Sequence, residues 1–280
     1  MPDALLHPTP PRWPWPPALA ASVGVHALAA AGVLVDPAQG ATALAAVALN
    51  QLVLTAAGLW PRSTLLGPNW RRLPAAAAQR AQVALTFDDG PDPEVTPRVL
   101  DMLDAAGARA TFFVIGRRAQ AAPALTREIV ARGHALGNHS AVHRHHFALL
   151  GPGGFAREIG RAQQILADVA GVRAHCFRAP AGLRNPLLDP VLHRLGLQLV
   201  SWTRRGLDTR DGDAARVHAR LVRGLAAGDI LLLHDGHAAR TPSGRPVVLA
   251  VLPPLLSALR AAGLATVTLA EAVPLRYPLP

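Results

Sequence analysis

An α/β fold is what this sequence predicts, with a parallel sheet of about seven strands closed or nearly closed into a barrel and an N-terminal membrane hairpin ahead of it. Three observations predict it. Two apolar stretches free of formal charge stand near the start of the 280-residue chain. Short β-rich runs then alternate with stretches whose apolar residues recur with a period near 3.6. Polar residues collect just past the ends of the β-rich runs, where a barrel of parallel strands keeps its chemistry.

The first 60 residues read as the hairpin. Residues 18–35 (ALAASVGVHALAAAGVLV) and 41–60 (ATALAAVALNQLVLTAAGLW) carry no charge, and each is about long enough to cross a ~30 Å hydrocarbon core. Asp36, Pro37, Gln39 and Gly40 supply a tight connection, and Trp13, Trp15 and Trp60 stand where interfacial aromatics belong. His26, Asn50 and Gln51 are expected to face the partner helix rather than lipid. A cleaved signal peptide is the competing reading, but the preceding MPDALLHPTPPRWPWPP has one Arg and many prolines, and a second apolar stretch follows. Arg12 precedes the first helix and Arg62, Arg71, Arg72 and Arg80 follow the second, so the positive-inside rule places both ends on the cytoplasmic side of a bacterial-type inner membrane. Membrane lipid is therefore an expected partner, with Arg71, Arg72 and Arg80 against anionic headgroups.

Residues 61–81 show no clear period and read as a linker to a domain over 82–280. In that domain the strand candidates are 83–87, 110–115, 135–138, 175–178, 197–202, 230–233 and 265–269. Helical periods cover 96–106, 123–132, 155–170, 186–195, 214–226 and 247–262. Gly107, Gly133, Gly171, Gly196, Gly228 and Gly263 stand at helix ends, the position that favours a residue tolerant of positive φ. Regular βα alternation of this kind argues for the parallel barrel.

Composition removes several function classes. The chain is 50% hydrophobic and 16% charged, which is incompatible with disorder, and its single cysteine rules out a disulfide scaffold. The net charge of +10 comes wholly from Arg, scattered without a basic stripe or interleaved aromatics, so nucleic acid is not an expected partner. No protein partner is inferable.

The polar residues at the strand ends are Thr86-Phe87-Asp88-Asp89-Gly90-Pro91-Asp92, then Asn138-His139-Ser140-Ala141-Val142-His143, Arg178-Ala179-Pro180-Ala181-Gly182, Trp202 followed by Asp208, and Leu232-Leu233-His234-Asp235. His139 and His143, four apart, can present two imidazoles on one side of a helical turn, and a carboxylate from another strand end would complete a three-ligand set for a divalent metal such as Zn²⁺ or a first-row neighbour. Asp88 and Asp89 are adjacent, so on extended backbone they point in opposite directions and need not share a role.

TFDDGPD, HSAVH, RAPAG and LLHD, in this order and on these strands, resemble the motifs of the polysaccharide deacetylase family, carbohydrate esterase family 4, with its NodB-homology domain. The resemblance covers residues 82–270 and implies a distorted (β/α) barrel. It implies a metal-dependent hydrolase that removes N-acetyl or other N-acyl groups from amino sugars of a polysaccharide, a peptidoglycan-like polymer or a lipid-linked saccharide. Residue by residue, it makes Asp89 the carboxylate that joins His139 and His143 on the metal, and Asp88 the general base, oriented by Arg178. It makes the backbone N–H of Ala181 an oxyanion donor, His234 the general acid with Asp208 orienting its ring, and Trp202 and Leu232 the walls of the acetyl pocket.

The chain departs from the family pattern in two places. Ala181 stands where the family often has an aromatic, and the segment Trp202-Thr203-Arg204-Arg205-Gly206-Leu207-Asp208-Thr209 lacks the acidic residue usual after Trp and the Trp usual after the orienting Asp. Arg204 and Arg205 are either contacts for an anionic substrate or solvated surface residues. Cys176 reads as core packing, His175, His193 and His218 as ordinary, His145 and His146 as loop or rim residues, Asp92 as a turn cap, and Asp235 and His237 as loop residues. Two other functions compete: a glycosidase, which needs two carboxyls about 5 to 9.5 Å apart across a sugar and has no use for the histidine pair, and a non-catalytic, membrane-anchored sugar-binding protein on the same barrel.

Overall fold

The computed structural model describes residues 13–272, so Arg12 lies outside the described part. Helices α1 (Pro17–Val35) and α2 (Gly40–Leu59) pack as a hairpin across a 3-10 turn at Pro37–Gln39. Their polar residues meet each other: Asn50 Nδ2 donates to Ser22 Oγ at 2.8 Å, and Gln51 lies 3.2 Å from His26 Nε2. Both helices are long and apolar enough to cross a membrane, and little of either is buried inside the molecule. Apart from Leu149 and Leu187, every exposed large hydrophobic among the described residues lies between Trp15 and Leu65.

After a short helix α3 (Ala75–Gln79), the chain alternates β1 (Gln82–Asp88), α4 (Thr96–Ala105), β2 (Ala110–Val114), α5 (Gly116–Ala121), α6 (Pro123–Ala131), β3 (Ala135–Asn138), α7 (Pro152–Ala170) and β4 (Cys176–Phe177). It continues with α8 (Leu188–Arg194), β5 (Gln198–Leu199), β6 (Arg204–Arg205), α9 (Ala214–Val222), β7 (Ile230–His234), α10 (Val247–Ala261), β8 (Ala265–Thr266) and α11 (Leu269–Ala272). All six glycines expected at helix ends have positive φ. The strands run in the order β5-β4-β3-β2-β1-β7-β6, every pair parallel, with β8 paired to the start of β1.

The sequence treats 197–202 as one strand, but it divides into β5 and the approach to β6, which lie on opposite edges of the sheet. That division closes the barrel. Seven strands laid flat would set their edges about 29 Å apart, whereas the chain from Leu199 to Arg204 spans at most about 18 Å. The sheet must curl until its edges approach each other.

The aperiodic segment expected to be a linker fills the remaining gap. Trp70 N donates to Leu199 O and Ser201 N to Trp70 O, at 3.0 and 2.8 Å, while Leu73 N reaches Gly228 O at 2.8 Å, just ahead of β7. Only single bridges form there, which is why no period betrays them. The same stretch carries the hairpin: Leu66 is buried with Leu19, Leu54 and Ala57, and Arg184 N donates to Gly58 O at 3.1 Å.

Period-2 alternation sorts the strands' side chains. Leu85, Phe87, Phe112, Val114, Leu231 and Leu233 meet the outer helices, while Ala84, Phe113, Ile230 and Leu232 fill the barrel interior with Val200 and Trp202. In register above that interior, Asp88 of β1 stands directly beside His234 of β7.

Candidate active site

Asp88 closes β1 as the last residue of the interior column, 4% exposed. Arg178, just past β4, reaches across the barrel to it. Its Nη1 donates to Asp88 Oδ1 at 2.6 Å and to Thr86 Oγ1 at 2.9 Å; its Nε and Nη2 donate to the carbonyls of Val200 and Ser201 at 3.3 and 2.9 Å. The guanidinium also lies 4.0 Å over the Phe113 ring. A buried arginine is costly unless its charge and donors are satisfied, and here one carboxylate and three other oxygens do so.

Asp89 does not point away from Asp88 as extended backbone would have it. Its φ of 71° turns the chain out of the strand and brings the second carboxylate to the same mouth. There Asp89 Oδ1 lies 3.3 Å from both His139 Nε2 and His143 Nε2. The two histidines are not on a helical turn. They sit on a loop with Ser140 at φ 65° and His143 at φ 54°. The loop is fixed by Asn138 Oδ1 accepting from Ser140 N (2.9 Å), Ser140 Oγ accepting from His143 N (3.0 Å) and Glu158 accepting from Val142 N (3.3 Å).

The residues fit a metal ion on several counts. One ligand atom each from Asp89, His139 and His143 lies within 4.8 Å of the others, and Asp89 Oδ1 is buried with no hydrogen-bond partner. Such an orphaned buried acceptor is expensive without a cation. His139 Nδ1 is 2.8 Å from the Arg178 carbonyl, which as donor to that oxygen leaves the Nε2 lone pair toward the site. Burial and the neighbouring His139 push His143 down to about 4, keeping it neutral as a ligand must be. Burial opposes ionisation of Asp89, yet the imidazoles that face it, His139 foremost and then His143 and His234, hold the carboxyl well below the usual carboxylate range. Burial opposes charge on His139 as well, and Asp88 and Asp89 outweigh it, raising that imidazole.

On the opposite wall, Asp208 grips His234 twice. Its Oδ2 accepts from His234 N at 2.7 Å and its Oδ1 pairs with Nδ1 at 2.9 Å, with Asp208 fully buried. The ring is thereby turned with Nε2 free to face the cavity. Burial lowers the tendency of His234 to carry charge, but the charge and hydrogen bond of Asp208, with Asp88 and Asp89 behind them, raise it above the ordinary histidine value.

These groups share a cavity of about 350 Å³, whose walls include Ala181, Gly182, Trp202 and Leu232. All ten residues singled out from the sequence gather at this mouth: eight line it, Arg178 lies buried behind Asp88, and Asp208 lies directly behind His234. Ala181 takes φ 54° at the rim. Arg205 lines the cavity too, 5.4 Å over the Trp202 ring, with its buried Nε unpartnered. Arg204 is committed elsewhere, to Asp229 and the carbonyls of Arg223 and Gly224, so it is neither a substrate contact nor a solvated residue.

His237, expected to be a plain loop residue, stands 3.5 Å from Asp89 and 2.9 Å from Arg118 Nη2. A histidine two residues past LLHD was the available signal. His145, expected at the rim, also lines the cavity. Asp92 caps its turn through Glu94 N and Val95 N, at 2.9 and 3.1 Å. Asp235 accepts from Thr96 Oγ1 at 2.6 Å and is pushed up to about 7 by burial, and burial likewise pushes the Cys176 thiol up to about 12, as befits a packing residue.

The family model for polysaccharide deacetylase matches residues 75–200. The chain is 37% identical over 198 residues to a chitooligosaccharide deacetylase of Azorhizobium caulinodans, covering 66% of this chain and 91% of that one. It is 33% identical over 206 residues to a peptidoglycan-N-acetylglucosamine deacetylase of Bacillus cereus, covering 70% and 88%. Among solved structures, the Bc1960 peptidoglycan N-acetylglucosamine deacetylase, in complex with a naphthalenyl N-oxidanyl-benzamide, superposes with a TM-score of 0.66 at 26% identity, covering 73% of this chain and 92% of that one. With the strand order, the curled sheet and this degree of identity in agreement, the chain belongs to the polysaccharide deacetylase family, carbohydrate esterase family 4.

Proposed function

We propose that the protein is a metal-dependent hydrolase that removes N-acetyl groups from amino sugars of a glycan, anchored to a membrane by its hairpin. The observation that carries this reading is the meeting, at one mouth, of an unpaired three-ligand set (Asp89, His139, His143), a carboxylate held by arginine (Asp88) and an imidazole held by carboxylate (His234). A decayed binding protein has no need of all three, and a glycosidase has no need of the first.

When bound, a divalent cation such as Zn²⁺ supplies Lewis acidity and makes water easier to deprotonate. The protein does the rest. Asp88, fixed by Arg178, takes a proton from water as the water oxygen bonds to the acyl carbon. The backbone N–H of Ala181 donates to the oxygen that gains charge. His234 then delivers the Nε2 proton to the amide nitrogen as the C–N bond breaks, so acetate and a free sugar amine leave. Trp202 and Leu232 wall the space for the acetyl methyl.

The test is acetate release from N-acetylglucosamine oligomers by metal-stripped and reconstituted protein. Activity should vanish on stripping and return with a divalent ion, and Asp89→Ala, His139→Ala and His143→Ala should each lose the metal, because three protein ligands leave no redundancy. Stoichiometric metal in any of these variants removes that residue from the site. Full turnover by stripped protein removes the metal from the reaction.

A further inference from the structure

A second cleft of about 570 Å³ adjoins the catalytic cavity, lined by Trp60, Arg62, Trp70, Arg71, Arg72 and Trp202, among others. Trp202 belongs to both hollows. From this arrangement we propose that the cleft binds the phosphate or diphosphate that joins a saccharide to a lipid carrier, so that the substrate is a lipid-linked amino sugar handed to the active site from the membrane plane. The inference rests on the deacetylase reading above and narrows its substrate.

Charge is the first argument. The three arginines of the cleft differ in their commitments. Arg72 is paired with Asp229 at 3.0 Å and bonded to the Ala227 carbonyl at 2.9 Å. Arg62 makes one long bond, 3.4 Å to the Thr203 carbonyl, and neither it nor Arg71 has a carboxylate partner among the described residues. Two guanidiniums without carboxylate partners line the cleft together with a third, and guanidinium binds phosphate oxygens in a bidentate, charge-assisted way. In the same wall, buried Asn69 gives both its amide hydrogens' bonding to the carbonyls of Pro61 and Ser63, while its Oδ1 has no partner.

Position is the second argument. Trp60 is the C-cap of α2, at the end of the hairpin that docks on the barrel. A helix of 20 residues is about 30 Å long, the thickness of a hydrocarbon core. With the hairpin spanning, Trp60 lies at the headgroup level, where tryptophan is favoured, and the cleft opens there. The chain leaving Trp60 runs straight to the catalytic rim, since a Cβ on Gly182 would meet Pro61 Cβ at 2.6 Å and Trp202 Cη2 at 2.8 Å. A lipid-borne phosphate and the acyl group of its sugar are thus received on two sides of one indole. Sugars linked to lipids carry their phosphate at the anomeric carbon, next to the carbon that bears the acetamide, so the two groups need only such a short separation.

The experiment uses full-length protein in neutral-lipid nanodiscs with three probes: N-acetylglucosamine joined by a diphosphate to a short isoprenoid tail, the same sugar joined to that tail by an uncharged ether, and a soluble N-acetylglucosamine oligomer. The diphosphate probe should be turned over with at least about tenfold higher kcat/KM than the ether. Arg62→Gln and Arg71→Gln should each raise its KM by about tenfold, the value of one charge-assisted contact, leaving kcat and the rate on the soluble oligomer unchanged. Binding of the diphosphate probe, measured separately, should weaken in the same variants.

Acetate release from the soluble oligomer with no preference for the diphosphate overturns this inference and leaves the deacetylase reading standing. Arginine-dependent binding of the diphosphate without acetate release from any probe does the reverse. Equal losses on all three probes would reduce the arginines to structural residues, and competition by phosphatidylglycerol at matched phosphate would assign the cleft to bulk anionic lipid; either overturns the proposal.

Discussion

At the scale of single residues, the site is built from pairs in which one member holds another. Arg178 contributes three directed donors and a face packed on Phe113, so it fixes where Asp88 points. Asp88→Asn keeps those contacts in shape but cannot accept a proton from water. It should retain metal while turnover falls by roughly two to four orders of magnitude, and near-normal turnover would move the base elsewhere.

Asp208 acts through His234, and its signature is a pH shift. With His234 as the general acid proposed above, its protonated form is the useful one, so activity should fall as pH rises through its raised value. Removing the carboxylate in Asp208→Ala takes away the largest influence opposing burial. The imidazolium then loses its proton at lower pH, and the alkaline limb of the kcat profile should move to lower pH, with a smaller rate loss than in His234→Ala. An unmoved limb with the same rate loss would make Asp208 merely structural.

At the scale of elements, Gly182 shows how a rim turn carries function. Its φ is +74°, and an added Cβ would press on Pro61 and Trp202. Gly171 has φ +69° with nothing within 4 Å. Alanine at either position pays the left-handed backbone cost of about 1 to 2 kcal/mol. Gly182→Ala should also displace the indole that walls the cavity, lowering kcat/KM about tenfold with metal content intact; Gly171→Ala should lose stability alone, read as Tm. Equal activity in both would uncouple the rim from the reaction.

The elements also explain what the sequence made legible. The strand-end motifs could be read because alternation along β1 and β7 dictates an interior column that ends in Asp88 and His234. The paired use of Asp88 and Asp89 could not, since it depends on the left-handed turn at Asp89, a conformation no periodicity encodes. The i, i+4 spacing of His139 and His143 suits a helical turn equally well, and the positive φ of Ser140 and His143 that makes it a loop is no more encoded. The division of 197–202 and the role of Trp70 escaped because each involves one or two ladder bonds, too few to impose a pattern.

At the scale of the molecule, the hairpin and the barrel are tied together at one end. Trp13 Nε1 donates to Asp189 Oδ2 at 2.8 Å, and the cluster of Leu19, Leu54, Ala57 and Leu66 buries the root of the hairpin, while its far end, with Leu34 and Val35 at 85% and 88% exposure, meets nothing. Bare apolar surface of this extent marks a membrane or partner contact, and under the proposed anchoring a root fixed to the barrel would set the catalytic mouth at a constant height above the bilayer. On the proposed membrane anchoring, charge predicts the side. Arg62, Arg71, Arg72 and Arg80 follow the second helix, and Asp36 alone among charged residues lies in the turn between the helices. Arginine is retained on the cytoplasmic side during insertion, whereas one Asp in a short turn crosses at little cost. The barrel should therefore lie at the cytoplasmic face, and a C-terminal fusion to a phosphatase active only outside the cytoplasm should be silent. Reversing the bias, with Arg62, Arg71, Arg72 and Arg80 changed to Gln and two arginines placed in the turn, should switch the reporter on. Strong reporter activity from the unaltered chain would put the barrel outside, where its substrate would be a wall or exported glycan.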